Sequence, residues 1–153
     1  MPATESPIRE WLQSIGTLAG VPITIDSSGA ADIELSSGAQ VAVEINAESE
    51  LMLLSADLFA PKASETATVL ERAMQLNHLG QGTGGATLGW DANRAMLVLS
   101  AVTPTQLLDE ALFLELLSGF IELAEAFRNG LPQNNEATRS ADTAGVSPTM
   151  VRG

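Results

Sequence analysis

Apolar residues recur at helical spacing in three stretches of the chain. In the first stretch they cover one face of a helix: Ile8, Trp11, Leu12, Ile15, Leu18 and Ala19. Thr4 or Ser6 can cap this helix, Pro7 suits its first turn, and Gly20 ends it.

The second and third helices follow the same rule. The second begins near Ser64 and ends at Gly80, with its apolar positions at Val69, Leu70, Ala73, Met74, Leu76 and Leu79. In the third, Thr105 is the predicted N-cap and Gly130 the stop. Its broad apolar face contains Leu108, Ala111, Leu112, Leu116, Phe120, Leu123, Ala124 and Phe127.

Strand patterns fill the intervals. Residues 31–35 and 41–45 alternate between apolar and polar positions, as in strands with one wet face. Residues 51–54 and 96–99 are apolar at every position, which predicts buried or central strands. Residues 88–90 form a hairpin with 96–99, and residues 23–25 are either strand or extended loop. The order α-β-β-β-α-β-β-α predicts an α+β fold with a mainly antiparallel sheet.

Composition changes after the last helix. Residues 131–153 are rich in Asn, Ser, Thr, Pro, Gly and Ala and have no apolar period. We therefore predict one folded domain over residues 1–130 and a disordered polar tail over 131–153.

The chain has 153 residues with 19 Asp and Glu against 7 Lys and Arg, a net charge of -12. That sign repels phosphate, so nucleic acid and anionic membranes are not expected partners. The absence of cysteine excludes a disulfide scaffold and a thiol nucleophile. No secretory signal or membrane-spanning run is recognisable, which favours the cytoplasm.

Residues 80–85 match G-x-G-x-x-G literally, but they follow a helix and precede a strand, the reverse of a dinucleotide-binding loop. His78 is the only histidine and has no second imidazole to share a metal with. Acidic residues such as Asp26, Asp32 and Glu34 match no calcium loop and suit solvated strand faces. We therefore predict no catalytic residue, metal or cofactor, and no enzymatic activity.

Apolar surface exceeds what one small core requires. The second helix, the doubly apolar strands and the wide third helix all contribute to this surplus. Large exposed apolar patches usually mark interfaces, and self-association is the simplest form of interface.

Several local phrases resemble the class I chaperones of bacterial type III secretion, the Tir and effector chaperone family. These phrases are Leu76-Asn77 at the end of the second helix, Gly85-Ala-Thr-Leu-Gly-Trp-Asp91, the strand at 96–99, and Glu122-Leu-Ala-Glu-Ala-Phe-Arg128. The resemblance covers about residues 8–128. It implies a cytoplasmic bacterial homodimer that binds the N-terminal chaperone-binding segment of a secreted effector and keeps it soluble and secretion-competent.

The resemblance also implies two sets of site residues. The dimer contact would be formed by Val69, Leu70, Ala73, Met74, Leu76, Leu88 and Trp90. The effector would contact Trp11, Ile15, Ile33, Leu35, Val43 and Leu53.

Two alternatives to an export chaperone stay open at this point. One is a chaperone-like binding module that regulates another bacterial protein. The other is an α+β protein that binds a small ligand in a concave polar pocket.

Overall fold

Six antiparallel strands form one sheet, and three helices accompany it. A computed structural model describes residues 7–21 and 23–133. The strand order is β1-β2-β3-β4-β6-β5, and every neighbouring pair is antiparallel. The elements are α1 (Pro7–Ala19), β1 (Ile23–Ile25), β2 (Ala31–Glu34), β3 (Gln40–Asn46), β4 (Leu51–Phe59), α2 (Thr66–Asn77), β5 (Thr87–Asp91), β6 (Met96–Pro104) and α3 (Glu110–Phe127). The predicted α+β class is confirmed, and Ile23–Ile25 adds a fourth strand before α2.

The period-two pattern of the strands separates two faces of the sheet. On the helix-facing side, apolar residues pack with α1 and α3 into one core: Ala31, Ile33, Val41, Val43, Met52, Leu54, Ala56, Leu97 and Leu99 with Ile8, Leu12, Phe113, Leu117, Phe120 and Ala124. The opposite side, here called the open face, is formed by the intervening residues of β2, β3, β4 and β6. In the register these include Asp32, Ala42, Glu44, Leu53, Ser55, Val98, Ser100 and Val102.

Strand β4 lies at the centre of the sheet between β3 and β6, as its unbroken apolar run predicts. Strand β6 is longer than predicted and continues to Pro104. After Leu99, the residues of β6 that face the helices are small or polar, and the residues on the opposite side include the exposed Val102. The apolar pattern that predicted the strand is therefore weak in this part. Pairing with the first half of β4, from Leu51↔Pro104 to Ser55↔Ser100, maintains the strand there.

The predicted N-cap of the third helix, Thr105, lies four residues before the observed one, Asp109. Thr105 lies in a short 3-10 turn, and its backbone N–H donates to the carbonyl of Glu50 at 2.8 Å. The N-cap of α3 is Asp109, whose side chain accepts the N–H of Leu112 at 2.8 Å. A carboxylate at this position also interacts favourably with the helix dipole, which explains why the helix begins here.

A glycine-rich connection joins α2 to β5 at close range. The chain turns after α2 through a 3-10 turn, His78–Gly80, in which Gly80 has a φ of 67°. Gly82 donates its N–H to the carbonyl of Leu76 at 3.1 Å. A Cβ on Gly82 would lie 2.7 Å from Leu76 Cδ2 and 2.9 Å from Leu76 Cα, so only glycine fits at this contact.

Two predictions fall outside the described residues. They are the capping of α1 by Thr4 or Ser6 and the disorder of the tail after residue 133. At the start of the predicted tail, Leu131 is half-buried and packs against the core.

Candidate functional site

No cluster of side chains suited to a metal ion occurs among the described residues. No group of three or more His, Asp or Glu side chains lies close enough to hold a metal ion there. His78 is exposed at the end of α2. The glycines at 80–85 follow the carboxyl end of α2, where helix carbonyls repel phosphate. In the same part of the chain, no helix is both long and apolar enough to span a membrane.

The predicted dimer residues divide between core and surface. Ala73, Leu76 and Leu88 are buried in the monomer core, where they join α2 to β5. Val69 and Trp90 are half-buried against that core. The structure therefore assigns these five residues to the monomer's own packing, wholly or in part.

An apolar strip remains on the outer flank of α2. Met74 is 75% exposed, Leu70 is half-buried, and Ala67 is exposed one turn earlier. These residues stand at i, i+3 and i+7, so they share one side of the helix. Just beyond α2, Leu79 is 79% exposed and has a left-handed φ of 54°. We group this exposed leucine, whose backbone is strained, with the three residues of the helix and call the set the α2 strip: Ala67, Leu70, Met74 and Leu79.

The predicted effector residues do not form one surface. Trp11, Ile15 and Leu35 are half-buried at the margin of the core, where a partner could still touch them. The ring of Trp11 packs against Phe113, with centroids 5.6 Å apart and planes inclined at 37°. The core thereby fixes the orientation of the indole ring, and part of that ring remains accessible.

Two residues of that set are inaccessible in the described monomer. Ile33 is 4% exposed and Val43 is fully buried, because both point toward the helices. Leu53 lies on the other side of the sheet, since its partner across β3 is Glu44 while Val43 pairs with Leu54. The sequence shows alternation in β3 but not which phase faces the helices. The prediction that Ile33 and Val43 are surface groove residues is therefore corrected.

Two grooves flank the helices. One, of about 480 Å³, lies between the glycine connection and α3, and Leu54, Ala101, Phe120 and Leu123 contribute to its apolar lining. The other, of about 690 Å³, lies between α2 and the end of α3 and is lined partly by Phe59, Val69 and Leu131. Both are open, so they suit side chains of a protein partner better than an enclosed small ligand.

Asn77 and Val102 are two features that the sequence patterns did not single out as functional. The side chain of Asn77 donates to the carbonyl of Leu88 and accepts its N–H, both at 2.8 Å. The outer edge of β5 is thus hydrogen-bonded at that point. Val102 is 59% exposed on the open face, directly opposite Leu53. The alternation of inward and outward residues in β6, if continued past Leu99, would have predicted that Val102 faces outward.

Arg94 connects the β5–β6 hairpin to β4 through a small charged network. Its guanidinium contacts Asp57 Oδ2 and Asp91 Oδ2, each at 2.6 Å. The Asp91 carboxylate also accepts the backbone N–H groups of Asn93 and Arg94. The side-chain bond from Arg94, followed by its backbone N–H, lowers the pKa of Asp91. Hydrogen bonds to Asp57 and then Asp91 raise the pKa of Arg94.

Comparisons with known proteins agree on the fold and point to one family. The model of the Tir chaperone protein (CesT) family matches residues 10–128. No curated protein is significantly similar to the chain in sequence.

Three solved structures are similar in backbone. A chain of the ExsC-ExsE complex is 19% identical with a TM-score of 0.65, and the match covers 86% of this chain and 98% of that one. A chain of the HopA1-SchA chaperone-effector complex is 18% identical, with a TM-score of 0.60 and coverage of 81% and 98%. A chain of the ExoT-SpcS complex from Pseudomonas aeruginosa is 17% identical, with a TM-score of 0.54 and coverage of 80% and 98%.

Proposed function

The chain belongs to the Tir chaperone protein (CesT) family, and on that premise we propose that it is a type III secretion chaperone. It binds the N-terminal chaperone-binding segment of a secreted effector and keeps that segment soluble and ready for export. The family match over residues 10–128 is the observation that carries this proposal, because it spans every helix and strand except the first turn of α1.

The surfaces of the monomer are compatible with this role. Apolar groups remain accessible on α1, on the α2 strip and on the open face, while no metal cluster was found among the described residues. Such surfaces can hold an extended polypeptide through several separated pockets, which compensates the entropy lost when the segment becomes ordered. The function we propose is binding without catalysis, in the bacterial cytoplasm where effectors await export.

Self-association through the α2 strip completes the proposal. Residues 66–108 contain two acidic residues, Glu71 and Asp91, and two arginines, Arg72 and Arg94. The net charge of this region is therefore zero, although that of the whole chain is -12. Two strongly acidic copies repel each other least where the local charge is balanced. The α2 strip lies in this region, and pairing two copies there would cover Met74 and Leu79.

Co-expression with candidate partners tests the function. The full chain would be produced with tagged N-terminal segments of proteins exported by the same secretion system, and complexes would be isolated and sized by light scattering. We expect a stable complex of two copies of the chain with one effector segment. Failure of every exported protein to form a complex would refute the function, and capture of a non-exported regulatory protein would favour the regulatory alternative.

A further inference from the structure

The open face carries an apolar patch on β4 and β6. Leu53 on β4 and Val102 on β6 are directly opposite each other. Val98 lies on the same face of β6, four residues before Val102. Val102 is 59% exposed, although valine in the body of a strand is usually packed. Between the apolar positions, Ala42, Ser55 and Ser100 are small, so the surface is shallow and has room for inserted side chains.

A row of carboxylates borders this apolar surface on one side. Asp32 and Glu34 on β2 and Glu44 on β3 are exposed and alternate with the buried residues of their strands. Within the described residues, the recorded ion pairs join only Arg94 to Asp57 and Asp91, so these three carboxylates have no cationic partner there.

Two basic side chains lie at the margins of the open face, and both are engaged. Arg94 is bonded to two aspartates at the β5 end. Arg128 lines the same depression as Asp32, but its guanidinium donates to the carbonyl of Ser37 at 2.6 Å. The negative charge on β2 and β3 is therefore left for a partner to neutralise.

A second copy of this chain does not suit the open face. Two such faces would bring Asp32, Glu34 and Glu44 toward the same groups of the other copy, and like charges across an interface are costly. An anionic surface such as nucleic acid is repelled for the same reason. The complementary occupant carries positive charge and has apolar side chains at alternate positions, the spacing of an extended chain.

We propose that the open face binds an extended, cationic segment of the exported partner, with apolar side chains over Leu53 and Val102 and Lys or Arg side chains toward Asp32, Glu34 and Glu44. This inference rests on the proposed function and specifies the chemistry of its partner. The apolar contacts hold the segment in place, and the carboxylates select its charge and accelerate the encounter.

Charge-neutralised variants and synthetic probes test the inference. The open-face variant combines Asp32→Asn, Glu34→Gln and Glu44→Gln. The control combines Glu48→Gln, Glu110→Gln and Glu122→Gln, which removes the same charge from exposed positions outside the open face. The probes are a labelled ten-residue peptide of alternating Lys and Val and its counterpart of alternating Glu and Val. Binding to the full chain would be measured by fluorescence anisotropy at low and high salt.

We expect the Lys-Val peptide to bind wild type and the control alike and the open-face variant about tenfold more weakly at low salt, since each exposed ion pair contributes little. Added salt should reduce that difference. Val102→Gln should also weaken binding and leave the salt dependence unchanged. The inference is overturned if the Glu-Val peptide binds as well, or if the control loses as much affinity as the open-face variant.

Capture of the exported partner separates this inference from the proposed function. If the open-face variant still captures the exported protein with wild-type affinity, the assigned surface is wrong and the chaperone function stands. If wild type captures no exported protein, the proposed chaperone function is wrong. The peptide measurements then still show whether the open face binds a cationic extended segment.

Discussion

The side chain of Asn77 completes the edge of β5 at Leu88. Its Nδ2 donates to the Leu88 carbonyl and its Oδ1 accepts the Leu88 N–H, both at 2.8 Å, as a neighbouring strand would. Leu88 pairs with Leu99 on its other side. One amide at the last residue of α2 therefore attaches the helix to the sheet and satisfies polar groups that an edge strand otherwise leaves open.

Removing that amide should destabilise the fold. Asn77→Ala leaves the N–H and carbonyl of Leu88 without their partner, and we expect a loss of about 1–3 kcal/mol in the free energy of unfolding. Urea denaturation followed by circular dichroism measures it. Asn93→Ala, an exposed position in the hairpin turn, is the control and should change stability by less than about 0.5 kcal/mol. Equal effects of the two changes would show that the Asn77 contact is energetically unimportant.

A charge on the α2 strip should disrupt self-association. Met74→Glu places a carboxylate on a residue that is 75% exposed in the monomer, so the monomer should stay folded. A buried, unpaired charge in the dimer would weaken association at least about a hundredfold. Sedimentation equilibrium measures the dissociation constant. Thr68→Glu, an exposed position on the other side of α2, adds the same charge and should leave association intact. If the Met74 variant kept the molecular mass of the wild-type dimer in solution, the α2 strip would be excluded as the dimer interface.

Val43 and Leu53 allow core and surface roles to be separated. Val43→Thr buries a hydroxyl of similar shape in the core, and we expect a loss of about 1–3 kcal/mol in stability with little change in effector affinity. Leu53→Thr lies on the open face, so it should cost less stability and weaken effector binding. Chemical denaturation and titration with the captured effector segment provide the two readouts. The reverse outcome would mean that the two faces of the sheet have been assigned incorrectly.

Asp91 should make a pH-dependent contribution to stability. Its pKa is lowered in the folded protein from the ordinary value of an aspartate, chiefly by the hydrogen bond of the Arg94 side chain, so its carboxylate stabilises the fold above that ordinary value. The contribution should be lost as pH falls through the lower, folded-state pKa. Asp91→Asn should therefore be less stable than wild type near neutral pH, and the difference should begin to shrink as pH falls below about 4 and vanish below the folded-state pKa. Thermal unfolding from pH 3 to 7 shows this, and a constant difference across that range would contradict the assignment. Glu48→Gln serves as an exposed control.

Most elements could be predicted because their apolar period is strong. The three helices and the central position of β4 follow directly from where Leu, Val and Ile recur. The start of α3 could not be chosen by period alone, because Thr105 and Asp109 are both good N-caps. Only the hydrogen bond of Thr105 to Glu50, a contact distant in sequence, decides between them.

The surfaces were harder to predict than the elements. Ile33 and Val43 are apolar, as groove residues are, and both are buried in the core. The alternating pattern of a strand does not show which of its faces the helices cover. The dimer set likewise mixed Met74, which is exposed, with Ala73 and Leu76, which the monomer buries. Helical spacing indicates that α2 has an apolar side. Only the packing of α2 against β5 shows which residues of that side are buried in the monomer and which stay exposed. Asn77 belongs to a phrase that resembles the family, but only the structure shows its hydrogen bonds to Leu88.

The contact of Gly82 with Leu76 also has a mechanical consequence. Because the connection leaves no gap there, and the next residue of the helix, Asn77, is hydrogen-bonded to Leu88, a shift of the end of α2 would displace the start of β5 with it. Strand β5 is in turn paired with β6 along its whole length. A displacement imposed on α2 by a second copy would therefore travel to β6, the strand that carries Val102 on the open face.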